Sequence, residues 1–270
     1  MINQIYCGDS LEVLKRIPEQ LVQTVVTSPP YWHLRDYEQE GQIGQEETPE
    51  KYTEQLVKIF DEVSRIMKDD GTLWLNLGDS YASTGKAGRQ HLTKLYRDGQ
   101  GRKSHIHDEI QCGRCPIPSG LKYKSMIGIP WRVAFALQEA GWILRQDIIW
   151  HKPNPMPESV KDRCTKAHEY LFLFAKKPQY YFDNESIKEP AKWERWGDQT
   201  ERKKHPGTAR HLGGKKRSEL PIKDTKNKRS VWTIKTASLA GAHFAVYPPA
   251  LVRPCILAGS RKGDVVLDPF

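Results

Sequence analysis

Long apolar runs are missing from this chain. Nothing in its 270 residues approaches the roughly 20 consecutive apolar positions that a membrane-spanning helix needs. The opening Met1-Ile2-Asn3-Gln4 lacks the basic and apolar regions of a secretory signal, which argues against export. Cysteine is scarce. Cys7, Cys112, Cys115, Cys164 and Cys255 form an odd, scattered set. That pattern excludes a fully paired disulfide framework and suits a reducing, cytoplasmic compartment. Internal repeats are absent too. What remains is a polar chain, 38% hydrophobic with a mean hydropathy of −0.67, long enough for one large α/β domain or a domain carrying an insertion.

Positive charge is concentrated rather than spread. Residues 84–124 carry a net charge of +6 and residues 192–229 a net charge of +8, so the rest of the chain is −5. Two local excesses on a mildly acidic body are the electrostatic footprint of a polyanion-binding protein, most simply one that binds nucleic acid. The same charge would also suit two solvated loops without a partner.

The pattern of elements predicts alternating helices and strands. Ser10 is placed to cap a short helix through Ile17, and strand Gln23–Thr27 follows. Thr48-Pro49 starts an amphipathic helix over 50–68, with Leu56, Ile59, Phe60, Val63, Ile66 and Met67 on one face and Gly71 as its stop. Strand 72–77, a proline-started helix from Ile129 to Gly141, strands Trp142–Trp150 and Glu169–Ala175, a helix over Pro248–Ala258 and strand Val265–Leu267 complete the series. Such alternation argues for a largely parallel sheet covered on both faces.

One segment breaks the rules of a strand. Thr24-Val25-Val26-Thr27 runs directly into Ser28-Pro29-Pro30-Tyr31-Trp32. Two consecutive prolines lack N–H donors and have fixed φ, so the chain must leave the sheet at once. The exit strands the Ser28 hydroxyl, the proline carbonyls and the Tyr31 ring on a rigid shelf. Its place is the carboxyl edge of the strand, where open α/β sheets bind ligands.

The shelf resembles the Ser-Pro-Pro-Tyr motif of DNA methyltransferases that act on exocyclic amino groups, the cytosine-N4 type in particular. The resemblance extends over nearly the whole chain. Cys7-Gly8-Asp9-Ser10, Gly71–Asp79, Leu144–Asn154, Glu158–Arg163, His243–Pro248 and Val265–Phe270 are similar to successive family motifs, in the β order of amino-methyltransferases. It implies an α/β Rossmann-like sheet dependent on S-adenosyl-L-methionine, interrupted by basic insertions. Residues 1–83 would be the catalytic half, 84–124 a basic loop, 125–184 its continuation, 185–230 the target-recognition region and 231–270 the start of the cofactor-binding half. The family continues past Asp-Pro-Phe into a glycine-rich turn, a helix and a further strand. A chain ending at Phe270 is therefore read as truncated, with that Phe left exposed.

The implied roles follow the motifs. Ser28, Pro29, Pro30 and Tyr31 would act on a cytosine extruded from double-stranded DNA, with Tyr31 stacking on the base and Trp32 walling its pocket. Asp9, Phe244, Ala245, Pro248, Asp268 and Phe270 would hold the cofactor, although Asp9 also reads as a turn or cap. Trp193, Arg195, Trp196, Arg210, Lys215, Lys216 and Arg217 would contact DNA. The setting would be the cytoplasm of a prokaryotic or phage-infected cell. Ser28 in place of Asp favours cytosine over adenine, and adenine-N6 transfer or a non-catalytic DNA-binding remnant are the alternatives. Pro254-Cys255 carries the two residue types of a cytosine-C5 nucleophile, but an apolar helical context makes Cys255 a buried structural residue. His105, His107, Cys112 and Cys115 have zinc-ligand types, yet one Cys-x-x-Cys is a thin signal, and they are read as unliganded loop residues.

Overall fold

The computed structural model describes residues 3–34, 37, 39, 41–82, 95–97, 103–105, 117–191, 224–237 and 246–270; for 95–97 and 103–105 the backbone alone is described. The elements in chain order are helix α1 (Ser10–Leu14), strand β1 (Val22–Thr27), helix α2 (Pro49–Ile66), strands β2 (Met67–Leu77), β3 (Leu95–Arg97) and β4 (Lys103–His105), helix α3 (Ile129–Glu139), strands β5 (Ile143–His151), β6 (His168–Ala175), β7 (Glu189–Pro190), β8 (Thr225–Lys226) and β9 (Val231–Thr233), helix α4 (Pro249–Gly259) and strand β10 (Val265–Leu267).

Six of the strands form the main sheet in the order β10-β1-β2-β6-β5-β9. β10, β1 and β2 run parallel, and β5 and β9 run parallel to each other. β6 is antiparallel to both β2 and β5, which makes the expected parallel sheet a mixed one. The antiparallel partner delivers the start of β6 to the same edge where β1 and β2 end: Tyr170 pairs with Leu77.

Side chains alternate across the sheet and build two cores. Val25, Leu73, Leu75, Phe172 and Phe174 point to the face covered by α2 and α3. Val26, Trp74, Leu171 and Leu173 point to the opposite face, against α4. The long α2 is held at its start by Thr48, whose side chain accepts from the Lys51 amide at 3.2 Å, with Pro49 preset for the first turn.

Two local readings need correction. α1 is capped by Asp9 rather than Ser10: the Asp9 carboxylate accepts from the Glu12 amide at 3.0 Å. Gly71 does not stop α2, which ends at Ile66, but lies inside β2. There Met67 faces Val22 and Thr72 faces Thr24, so the strand bulges. A Cβ on Gly71 would come within 2.9 Å of the Gln23 carbonyl oxygen, so glycine is needed for the close approach rather than for a turn.

A second close approach seats α4. Gly259 lies over Thr24 and Thr72, whose buried hydroxyls hydrogen-bond to each other at 3.0 Å. An added Cβ would be 2.6 Å from one hydroxyl oxygen and 2.7 Å from the other. Gly259→Ala is therefore expected to lower stability by about 1–3 kcal/mol through overpacking. Leu257→Ala, on the exposed side of the same helix, should change it by no more than about 0.5 kcal/mol. Calorimetric unfolding of the two variants checks the difference.

Candidate active site

β1 ends at Thr27 and the backbone leaves the sheet through Ser28. Pro29 is buried, while Ser28, Pro30 and Tyr31 are half-buried. Neighbouring elements fix the exit. The Tyr52 hydroxyl, from α2, donates to the Pro30 carbonyl at 2.9 Å. The His33 amide donates to the Gly44 carbonyl at 2.7 Å, and Gly44, at φ +99°, lets its chain pass within a Cβ distance of 3.0 Å from the Tyr31 carbonyl. Trp32 is only 1% exposed, and its indole N–H donates to the Glu46 carbonyl at 2.9 Å. It edges a cleft of about 210 Å³ beside Tyr31, Gly78 and Asp79, but its burial makes it core more than wall.

The Tyr31 hydroxyl is the centre of a polar cluster. It donates to Glu169 Oε2 at 2.8 Å, with Asn76 Oδ1 at 3.2 Å. It receives the Ser28 hydroxyl at 3.3 Å. The other Glu169 oxygen is paired with the Lys152 ammonium, and that ammonium also sits 4.3 Å above the Trp150 ring. Asn76 is oriented by donating to the Tyr170 carbonyl at 3.0 Å. Burial first, and the Glu169 charge second, push the Tyr31 phenol well above its ordinary range, so it stays protonated. Nearby, Lys166 donates to the Asp79 carbonyl at 3.3 Å, and burial lowers its pKa. The Asp79 carboxylate accepts from the Gly128 and Ile129 amides, each at 3.0 Å, and so closes the start of α3, which has no side-chain cap of its own.

A second cluster adjoins the first through Thr27. Its hydroxyl donates to Asp268 Oδ1 at 2.5 Å, across the carboxyl ends of β1 and β10. The Phe270 amide donates to the same oxygen at 3.2 Å, and the Tyr247 hydroxyl donates to Oδ2. Asp268 keeps solvent contact as a residue. Crowding of its carboxylate raises the pKa, and the three donors oppose the rise. The Ser10 hydroxyl donates to the Pro269 carbonyl at 2.6 Å, tying α1 to the end of β10. Phe270 is not left exposed: it is half-buried, edge-on to Phe60 at 6.2 Å between centroids. Pro248 immediately precedes α4, and Tyr247, Leu251 and Cys255 line a cleft of about 190 Å³ beside Thr27 and Asn76.

The structure thus brings together Ser28, Pro29, Pro30, Tyr31 and Asp268, with Pro248 and Phe270 close by in sequence or packing. Asp9 acts as the α1 cap. Cys255 is fully buried and its thiol donates to the Leu251 carbonyl at 3.2 Å; burial pushes its pKa up, the opposite of an activated nucleophile. Phe244, Ala245, Trp193, Arg195, Trp196, Arg210, Lys215, Lys216, Arg217, His107, Cys112 and Cys115 lie outside the described residues, and His105 is described only as backbone in β4. Glu169, Lys152, Asn76, Thr27 and Tyr247 are not singled out by the sequence. The one available signal is an acidic residue opening the otherwise apolar run Glu169–Ala175.

Comparison with known proteins decides the family. The DNA methylase family model matches residues 22–270. The chain belongs to that family. This methylase is 47% identical over 267 residues to the type II methyltransferase M.SmaI of Serratia marcescens, covering 99% of this chain and 78% of that protein. It is 46% identical over 266 residues to the type II methyltransferase M.XycI of Xanthomonas campestris pv. cyanopsidis, covering 98% of this chain and 75% of that one. Its fold is similar to that of the PvuII DNA methyltransferase (cytosine-N4-specific), with a TM-score of 0.58 at 19% identity over 97% of this chain and 72% of the other. It is also similar to TTHA0409 of Thermus thermophilus, described as a DNA modification methylase and solved with S-adenosyl-L-methionine, with a TM-score of 0.53 at 21% identity over 100% and 79% of the two chains.

Gly78 supplies a test of the site's packing. A Cβ there would lie 2.6 Å from Tyr31 Cε2, inside the ring's own space. Gly78→Ala should displace the Tyr31 ring and reduce DNA methylation by roughly 100-fold, the scale of a misplaced site group. Its circular dichroism spectrum should match that of the parent. Rates of methyl incorporation measured beside those spectra separate the two effects.

Proposed function

We propose that this methylase transfers a methyl group from S-adenosyl-L-methionine to the exocyclic N4 amino group of cytosine in double-stranded DNA. The observation that carries the reading is the direction of the Ser28 hydrogen bond. Its hydroxyl hydrogen is directed to Tyr31, which leaves the Ser28 lone pairs to accept from an amino group. The Pro29 carbonyl is a second acceptor on the same shelf. A cytosine amino nitrogen is a poor nucleophile because its lone pair is delocalised into the ring. Two acceptors on its hydrogens favour a pyramidal nitrogen and turn the lone pair outward.

The residues present suit the cofactor. Asp268 places a carboxylate at the carboxyl end of β10, bonded to Thr27, the residue before Ser28. A carboxylate at that edge complements a ligand that carries a sulfonium and an amino group. Tyr247, Pro248, Phe244 and Phe270 would complete its apolar walls. The bound cofactor supplies an electrophilic methyl carbon. The chain's own contribution is to hold the amino nitrogen in line and to exclude water, a positioning effect.

A duplex hides this nitrogen in the base stack, so the target must be extruded. The basic stretches 84–124 and 192–229 supply the counter-charge for the phosphates. Ser28, a neutral group, favours cytosine over adenine. The type II methyltransferase relatives support a role in restriction-modification, in the cytoplasm of a prokaryotic or phage-infected cell.

The experiment combines labelled cofactor with unmodified duplex DNA and identifies the labelled nucleoside after digestion. N4-methylcytosine is the expected product. N6-methyladenine or C5-methylcytosine as the sole product contradicts the reading. Ser28→Ala should slow incorporation by roughly 100-fold, the effect of removing one well-placed polar group.

A further inference from the structure

Methylation of an amino group leaves a proton to be disposed of, and the shelf contains a path for it. This inference rests on the function proposed above. Three groups are joined in one direction. The Ser28 hydroxyl donates to the Tyr31 hydroxyl, and the Tyr31 hydroxyl donates to Glu169. Beyond Glu169 stands the Lys152 ammonium, bonded to the other carboxylate oxygen. Glu169 and Lys152 side chains are only 17% and 18% exposed, so bulk water has little access to this end of the path. Asn76 does not compete for the Tyr31 hydrogen on equal terms, because its oxygen is neutral and farther away, 3.2 Å against 2.8 Å.

The geometry points to a proton relay from the substrate amino group through Ser28 and Tyr31 to Glu169. As the new N–C bond forms, the nitrogen carries one hydrogen too many. That proton passes to Ser28 Oγ, the Ser28 hydrogen passes to the Tyr31 oxygen, and the Tyr31 hydrogen passes to Glu169 Oε2. Each hydroxyl gains one proton and loses one, and Glu169 ends as the carboxylic acid. A methylated amino cation of a nucleobase is a far stronger acid than a carboxylic acid, so the transfer runs downhill. Lys152 holds the carboxylate in place beforehand through its ion pair. Glu169 and Tyr31 reach the substrate only through Ser28, so they are positioning residues that also carry the proton.

The relay explains two features at once. It gives a reason for a Glu–Lys pair at the edge of an apolar sheet. It also explains why the aromatic residue of the shelf carries a hydroxyl, which packing against Gly78 does not require.

The test measures single-turnover methyl transfer for the parent chain, Glu169→Gln, Tyr31→Phe and the double variant, in light and heavy water. DNA binding is measured alongside. Each single variant should be roughly 100-fold slower, the usual scale of lost acid–base assistance. The double variant should be little slower than either single one, because members of one relay fail together. The solvent isotope effect of the parent should disappear in all three, and DNA binding should be unchanged. Parental rates in Tyr31→Phe, a variant that keeps the ring, overturn the relay. So do losses that multiply in the double variant with an unchanged isotope effect, which mark a merely structural role. A parent chain that makes no methylated amino product overturns the proposed function itself, and the relay with it.

Discussion

Everything at the site depends on the backbone leaving β1 at one residue. A buried parallel strand has every incentive to continue, since its ladder satisfies each N–H and C=O. Pro29 and Pro30 remove that option, and the buried Pro29 ring together with the Tyr52–Pro30 hydrogen bond fix where the chain goes next. The consequence is chemical. The acceptors of Ser28 and Pro29 are held on rigid backbone at the carboxyl edge, where a loop would leave them mobile. Polar groups that elsewhere would need a strand partner are left for a substrate.

The sheet order makes that edge useful. β1 lies between β10 and β2, so the shelf has Asp268 on one side and Asn76 and Gly78 on the other. The reversal of β6 brings Glu169 to the same place from its amino end. Had β6 run parallel, the start of the strand would lie at the far edge and the Tyr31 hydroxyl would have no carboxylate. One antiparallel strand in a mostly parallel sheet therefore has a direct effect on the site.

Much of this is legible in the residues themselves. The amphipathic α2, the strand at Val265–Leu267 and the proline exit are local events, encoded by periodicity and by imino acids, and they stand where the sequence puts them. The expected cap of α1 is off by one residue, because Asp9 and Ser10 are both good caps and only the Ser10–Pro269 contact distinguishes them. Gly71 misleads for a similar reason: a glycine after a helix usually marks a cap, and here it marks a bulge imposed by β1. Glu169 and Lys152 are beyond reach of the sequence, since their meeting depends on the pairing of β5 with β6 and on the direction of β6. Local rules fix local structure, and cross-strand chemistry needs the register.

The central claim is that the stranded acceptors of Ser28 and Pro29 hold the amino nitrogen of an extruded base. The most direct measurement is a crystal structure of the protein with duplex DNA containing its target and a cofactor analogue that cannot donate a methyl group. The account predicts an unpaired cytosine with its amino nitrogen about 3 Å from both Ser28 Oγ and the Pro29 carbonyl oxygen. A target base still stacked in the duplex, or extruded with its amino group directed away from both oxygens, would contradict it.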